Sequence, residues 1–111
     1  MASDRPTLST HILDTGSGNP RTGATVRLWR LGLDDGPATL VVEAVTDGDG
    51  RVRDLLGPAA LETGAYALEF DLGADGFFTS LTVEVQIPDA SRSYHVPLLV
   101  APFGLSTYRG S

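Results

Sequence analysis

Apolar and polar residues alternate along several short runs of this chain, and this period of two residues is the strongest constraint on its fold. Residues 65–72 and 80–87 both carry an apolar side chain at every second position. Successive side chains of a β-strand point to opposite faces, so each run offers one face to a core. No stretch has a sustained helical period. We therefore predict an all-β fold.

Thirteen glycines and seven prolines interrupt the apolar runs and mark the turns between strands. Strands are predicted at residues 8–14, 24–31, 39–46, 65–72, 80–87 and 93–101, with shorter ones within residues 51–56 and 105–109. Strands at this spacing are typical of a sandwich of two sheets. A chain of 111 residues supplies one hydrophobic core. Residues 1–111 are thus predicted to form a single domain, in which residues 1–6 are flexible.

The predicted strand at residues 93–101 has two apolar faces. One face carries Tyr94, Val96, Leu98 and Val100, and the other carries His95, Pro97, Leu99 and Ala101. A sheet on the surface of a monomer usually has a polar outer face, so we expect a second subunit to cover this one. Pro97 cannot donate a hydrogen bond to a neighbouring strand, which suggests an edge position or a bulge.

The composition of the chain excludes several classes of function. The net charge is −6 and the eight basic residues, all arginine, are scattered, so binding to nucleic acid is not expected. The lack of lysine excludes Schiff-base chemistry, and the lack of cysteine excludes disulfides, thiolate nucleophiles and Cys-ligated zinc. Residues 1–6 carry no apolar segment of a secretory signal or membrane span. We expect a cytoplasmic protein that does not bind membranes.

Two histidines, His11 and His95, both lie in predicted strands. A lone histidine in a strand is more often structural than catalytic. Two that share a cleft can orient and deprotonate water, because imidazoles titrate near neutral pH. A zinc site would need further ligands, and without cysteine only Asp or Glu could complete it. The spacing identifies no such residue, so no metal site is predicted.

Arg51 follows the sequence TDGDG (residues 46–50) at the start of a short predicted strand. The segment has the first acidic positions of a calcium loop but lacks the later ligands of an EF-hand, so a turn between strands is favoured. The planar guanidinium of Arg51 can pair in two places with an anionic or carbonyl-bearing ligand. The chain has no G-x-S-x-G elbow to hold a serine nucleophile. Water is therefore the expected nucleophile.

Three blocks of the sequence resemble the family of transthyretin-like 5-hydroxyisourate hydrolases, enzymes of urate degradation. The blocks are LSTHILDTGSGNPRTGATVRLWRL (residues 8–31), TDGDGRV (residues 46–52) and YHVPLLVAPFGLSTYRGS (residues 94–111). The resemblance implies a prealbumin-like sandwich of two four-stranded antiparallel sheets, assembled as a homotetramer with active sites at the dimer–dimer interface. Members of the family commonly have a helix between the fifth and sixth strands. Residues 71–81 leave room for a turn only, so this helix is expected to be shortened or absent.

The resemblance also implies a reaction and a set of site residues. By motif position it assigns catalytic roles to His11, Arg51, His95 and Ser111, and substrate binding to Tyr108, Arg109 and Gly110. The reaction of the family is hydrolysis of the lactam bond in the six-membered ring of 5-hydroxyisourate, giving 2-oxo-4-hydroxy-4-carboxy-5-ureidoimidazoline. No cofactor is implied. On this hypothesis the histidines activate the water and Arg51 stabilises the oxyanion that develops.

Two non-catalytic alternatives remain open. A β-sandwich of the carboxypeptidase-regulatory kind would account for residues 23–70 but not for His11, His95 or the final YRGS. A transthyretin-like carrier would bind a planar ligand at the same interface without hydrolysing it. A carrier has less need of two histidines and an arginine in one place.

Overall fold

The computed structural model describes residues 5–32, 34 and 36–110. These residues form nine strands: β1 (Leu8–Asp14), β2 (Asn19–Pro20), β3 (Thr25–Arg30), β4 (Thr39–Val45), β5 (Arg51–Val52), β6 (Gly64–Asp71), β7 (Ser80–Ile87), β8 (Tyr94–Ala101) and β9 (Gly104–Thr107). One sheet has the order β2-β1-β8-β9, with β5 also paired to β1, and the other has the order β4-β3-β6-β7. The predicted all-β sandwich is confirmed.

The hydrophobic core lies between the two sheets. Phe70 of β6, Ile12 of β1 and Leu98 of β8 have no exposed surface. Leu55 and Leu56, in the connection after β5, are also fully buried. Each buried side chain of this size stabilises the fold by about 1.5–3 kcal/mol relative to an exposed one. The alternating pattern therefore determines which face of each strand points outward.

The six longer strands lie where the alternation of residues predicted them, with ends displaced by no more than one residue. The sequence did not predict β2, in which Asn19 and Pro20 pair with the end of β1; both residue types are rare in strands. Because β2 is added, the first sheet has five strands instead of the four expected. Residues 72–79 contain bends and irregular backbone only, so the absence of a helix between β6 and β7 is confirmed. None of the described residues forms a helix long and apolar enough to cross a membrane.

One strand pair departs from the antiparallel sheets expected from the sequence. β1 and β8 run parallel, from Leu8↔Tyr94 to Asp14↔Val100. These strands lie near opposite ends of the chain, so no hairpin turn dictates their relative direction. Their pairing joins the N-terminal and C-terminal parts of the chain in the middle of one sheet.

Pro97 was expected at an edge or in a bulge, but it lies in a central strand, and neither pairing of β8 shows the register shift of a bulge. β8 pairs with β1 on one side and with β9 on the other. The β8–β9 ladder stops at Leu98↔Thr107 and resumes in the same register at His95↔Gly110. Proline has no N–H to donate, and the ladder is interrupted at its position. The Thr107 hydroxyl instead donates to the Pro97 carbonyl oxygen at 2.8 Å.

The expectation that residues 1–6 are flexible concerns mostly residues outside the described ranges. Arg5 is described, and its Nη2 atom donates to Asp54 Oδ2 at 2.6 Å and to the Gly57 carbonyl oxygen at 2.6 Å. The chain therefore contacts the connection after β5 before β1 begins. The single domain over residues 1–111 stays a prediction.

The turn before β5 depends on Gly50. Its φ is +73°, in the left-handed region, and a Cβ there would lie 2.7 Å from the Ile12 carbonyl oxygen. The Gly50 carbonyl oxygen accepts a hydrogen bond from Ile12 N at 2.8 Å. This close contact holds β5 against β1 and places Arg51 opposite His11.

We expect Gly50→Ala to lower the free energy of unfolding by about 1–3 kcal/mol, since alanine in this conformation is strained and its methyl group meets the β1 backbone. Gly48→Ala is the matched control, because it lies in the same turn and no heavy atom is within 4 Å of its Cβ position. Urea unfolding of both variants measures the difference. Equal free energies of unfolding would contradict the role given to Gly50.

Candidate active site

The outer face of the β2-β1-β8-β9 sheet carries most of the residues singled out from the sequence. Arg51 of β5 is paired with His11 of β1. Two residues earlier on β1, Ser9 is paired with His95 of β8, and His95 is bridged to Gly110. Paired residues of neighbouring strands project from the same face, and a spacing of two keeps Ser9 and His11 on that face. The sheet register thus brings His11, Arg51 and His95 to one surface.

The imidazole of His95 is held on two edges. Its Nδ1 atom lies 2.8 Å from the Ser9 hydroxyl oxygen. On the other edge, a Cβ at Gly110 would lie only 2.6 Å from His95 Cδ2. Gly110 N donates to the His95 carbonyl oxygen at 2.7 Å, which fixes the glycine at this place. The ring is therefore confined between Ser9 and Gly110.

The pKa of His95 is lowered below the ordinary histidine value of 6.5, chiefly by burial of the ring and then by the charges of Arg51 and His11. A backbone hydrogen bond to Ser9 partly opposes this shift. The protonated ring is unfavourable here because it is poorly hydrated and close to a fixed positive charge. His95 is consequently neutral at neutral pH and able to accept a proton.

Arg51 is positioned by the turn that precedes it. Asp47 Oδ1 accepts hydrogen bonds from Asp49 N at 2.9 Å and from Arg51 N at 3.0 Å. These bonds lower the pKa of Asp47, so its carboxylate remains ionised and keeps the turn closed. Among the described residues, no side chain or backbone group forms a hydrogen bond or ion pair with the Arg51 guanidinium. Its planar donors are therefore available to a ligand.

A cleft of about 370 Å³ opens beside these groups, within the usual size range of small-molecule sites. The residues that line it are Ser9, Thr10, Arg51, Val52, Arg53, Arg92, Ser93, Tyr94, His95 and Gly110. Three of these carry a guanidinium, whereas no described Asp or Glu lines the cleft. A protein of net charge −6 thus has a locally cationic pocket, which favours an anionic or carbonyl-rich ligand.

The other predicted site residues lie in different places. His11 is half-buried and close enough to affect the pKa of His95, but it does not line the cleft of the single chain. Tyr108 and Arg109 line a second cavity of about 390 Å³ beside β7, where the Arg109 guanidinium carbon lies 5.3 Å from the centre of the Tyr94 ring. Ser111 lies outside the described residues. Of the predicted substrate-binding residues, Gly110 alone lines the cleft.

Ser9, Arg53 and Arg92 also line the cleft, and no sequence pattern assigned them a binding role. The spacing of two between Ser9 and His11 indicates that they share a face of β1. Arg53 has the same spacing from Arg51, whereas Arg92 lies in the turn before β8 and carries no sequence signal. Within the described ranges, no three His, Asp or Glu side chains are grouped closely enough to hold a metal ion together.

A family model described as the HIUase/Transthyretin family matches residues 8–110. The chain belongs to this family. The match includes His11, Arg51, His95 and Gly110, and it confirms the resemblance carried by the three sequence blocks. It also extends over both histidines, which the carboxypeptidase-regulatory alternative left unexplained.

Relatives and solved structures agree with this membership. A 5-hydroxyisourate hydrolase of Halalkalibacterium halodurans is 40% identical, and the alignment covers 94% of this chain and 97% of that protein. The structure of Klebsiella pneumoniae 5-hydroxyisourate hydrolase matches with a TM-score of 0.79 and 36% identity, covering 96% of this chain and 99% of the other. Transthyretin from Sparus aurata matches with a TM-score of 0.82 and 25% identity, covering 96% and 97%. Family members that share this fold thus include enzymes and a transthyretin.

Proposed function

We propose that this protein hydrolyses 5-hydroxyisourate to 2-oxo-4-hydroxy-4-carboxy-5-ureidoimidazoline in urate degradation, and that the cleft between Arg51 and His95 is its active site. The activity is supported by relatives that are named 5-hydroxyisourate hydrolase and that match this chain over nearly their full length. The observation that carries the site is that the His95 imidazole, whose pKa is lowered, shares one cleft with the Arg51 guanidinium, which forms no hydrogen bond or ion pair with another described group. The first can accept a proton from water and the second can bind an oxyanion.

The first chemical step is addition of water to the lactam carbonyl. The His95 imidazole takes a proton from the water as the water oxygen forms a bond to the carbonyl carbon. Burial and the nearby charges of Arg51 and His11 keep the ring unprotonated, which is the form that this step requires. His11 lies on the same face and orients the water or the ring that is attacked.

The second requirement is stabilisation of the tetrahedral intermediate. Negative charge develops on the former carbonyl oxygen, and the fork-shaped donors of Arg51 suit it. The carbon–nitrogen bond of the ring then breaks, and the imidazolium returns its proton to the leaving nitrogen. The water is thereby divided between the new carboxyl group and the nitrogen, and the imidazole is neutral again.

The outer face of the sheet also supports the proposal that subunits associate over the site as a homotetramer. Leu99 and Ala101 lie on that face with His95 and are only half-buried in the single chain. A neighbouring subunit would cover them and complete the cleft, with Tyr108, Arg109 and Ser111 of the terminal segment contributing to substrate binding and catalysis. The dimer–dimer position of the site and the cytoplasmic location stay predictions.

The direct test is the decay of freshly generated 5-hydroxyisourate, followed by ultraviolet absorbance with and without the protein. We expect the protein to accelerate the decay far above the spontaneous rate. The matched control is an equal concentration of the Arg51→Gln variant, which lacks the oxyanion donor and should be slower by about 10²–10³-fold. A decay no faster than in buffer would leave a transthyretin-like carrier as the better interpretation.

We expect kcat/KM to fall as the pH is lowered, with the midpoint of this acidic limb below pH 6.5. The folded-state pKa of His95 is lowered from 6.5, so the neutral ring persists at pH 6.5 and is lost only as the pH falls through the lower folded-state value. A pH profile of kcat/KM, corrected for spontaneous decay, measures the limb. In Arg51→Gln the limb should move upward, because one of the charges that lower this pKa is gone. A limb above pH 6.5 in the parent protein would contradict the assignment of His95.

A further inference from the structure

Ser9 and His95 are direct partners in the parallel β1–β8 pair. The Ser9 hydroxyl oxygen lies 2.8 Å from His95 Nδ1 and 3.4 Å from the Tyr94 carbonyl oxygen. Both residues are held by regular strand backbone, so this contact does not depend on a mobile loop. A neutral imidazole carries its single proton on either Nδ1 or Nε2, and the partner of Nδ1 decides between them.

We propose that Ser9 is a positioning residue that keeps the His95 proton on Nδ1 and so leaves Nε2 as the basic nitrogen. The catalytic consequence rests on the proposed function, because it identifies the atom that takes the proton from water. The tautomer itself is a property of the free protein and can be tested without substrate.

The groups around Nδ1 favour a donor at that nitrogen. The Ser9 hydroxyl can accept from Nδ1–H while it donates its own proton to the Tyr94 carbonyl oxygen, which forms a chain of two hydrogen bonds. The backbone of Ser9 also raises the pKa of His95, against the larger lowering by burial.

The other edge of the ring prevents the alternative orientation. If the imidazole rotated by half a turn, Nδ1 would face Gly110 and a carbon would face the Ser9 hydroxyl. Gly110 N already donates to the His95 carbonyl oxygen at 2.7 Å, so it is not available to the ring. The flipped ring would lose the Ser9 hydrogen bond and gain none from Gly110 N. The Ser9 hydroxyl thus favours both the observed orientation and the Nδ1-protonated tautomer of His95.

This arrangement explains how the two histidines can have different tasks. His95 has a hydrogen-bonding partner on Nδ1, and no described side chain forms a hydrogen bond with the ring of His11. The ring whose protonation state and orientation are fixed is the one suited to act as the base. The ring of His11 is not oriented by such a hydrogen bond from a described side chain.

A matched pair of variants, Ser9→Thr and Ser9→Val, isolates the hydroxyl. The two side chains have nearly the same shape and both suit a strand, but only threonine retains the oxygen. Nitrogen-15 spectra of protein labelled at histidine report which ring nitrogen carries the proton, and His11→Gln assigns the signals. In the parent protein and in Ser9→Thr we expect His95 to be protonated at Nδ1. In Ser9→Val the ratio of the two tautomers should shift toward Nε2 by about tenfold, the weight of one ordinary hydrogen bond.

The kcat and KM of Ser9→Thr and Ser9→Val provide a second test. The kcat for 5-hydroxyisourate should be lower in Ser9→Val than in Ser9→Thr by the loss of the Nδ1-protonated fraction, about twofold where the tenfold shift leaves the two tautomers equally populated. KM should be similar in both variants, since the hydroxyl acts on the base and not on the substrate. Equal thermal midpoints would show that the pair differs in the site alone. A parent protein with the proton on Nε2, or a Ser9→Val variant with an unchanged tautomer, would overturn the proposal. If the parent protein did not hydrolyse 5-hydroxyisourate, the proposed function would fail, but the spectra would still decide the tautomer.

Discussion

Replacing His95 by asparagine is expected to lower the turnover of 5-hydroxyisourate by about 10²–10⁴-fold, the usual contribution of a general base. Asparagine retains an amide that can bond with the Ser9 hydroxyl, but it has no nitrogen that accepts a proton at neutral pH. The fold should persist, because His95 lies on the outer face of the sheet and not among the core residues. The experiment compares kcat/KM, thermal midpoint and oligomeric mass of the variant with those of the parent protein.

The same variant provides an internal control for the coupling between His95 and Ser9. In the parent background Ser9→Val should reduce kcat, whereas in the His95→Asn background it should have no further effect, since there is no base left to orient. Additive losses would mean that Ser9 acts through another residue. Near-normal turnover of His95→Asn itself would remove His95 from the mechanism.

The second large effect is expected from a single methyl group at Gly110. In Gly110→Ala the new Cβ would lie 2.6 Å from His95 Cδ2 and 3.2 Å from Cγ, so the imidazole must move. A displacement of about 1 Å of a reacting group can cost about 10²-fold in rate, and we expect a loss of kcat of that order. The free energy of unfolding should change little, because the backbone hydrogen bond from Gly110 N remains.

Gly104→Ala is the matched control for Gly110→Ala. It lies at the other end of the same terminal segment, and no heavy atom is within 4 Å of its Cβ position. Its kcat should stay close to that of the parent protein. The nitrogen-15 spectrum of the His95 ring should change in Gly110→Ala and not in Gly104→Ala. Equal activity of the two variants would mean that the contact with Gly110 does not position the ring.

Much of the fold was predictable because the apolar residues alternate. Burial of one face per strand imposes this period, so strands could be recognised at residues 65–72 and 80–87 from their side chains alone, within one residue of β6 and β7. The parallel pairing of β1 with β8 was not predictable in the same way. It depends on contacts between the two ends of the chain, and local sequence does not encode the direction of strands that no hairpin joins. Pro97 suggested an edge or a bulge, but long-range pairing with β1 and β9 makes β8 a central strand.

Part of the candidate site could also be predicted from the sequence, and part required the structure. His11, Arg51 and His95 could be singled out from their chemistry and from the resemblance to the family, and the register of three strands places them on one face. The partnership of Ser9 with His95 joins residues 86 positions apart and required the structure. Tyr108 and Arg109 lie where the ladder between β8 and the terminal segment is interrupted, and they line the second cavity instead of the cleft.

β9 and Gly110 pair with β8 in one register, so the length of the turn between β8 and β9 determines which residue lies beside His95. Gaining or losing one residue there would shift every later residue by one position and place Arg109 or Ser111 beside His95 in place of glycine. Residues 72–79 join two strands of the other sheet and set no such distance. Over evolutionary time, insertions and deletions should therefore accumulate between β6 and β7 and be eliminated between β8 and β9.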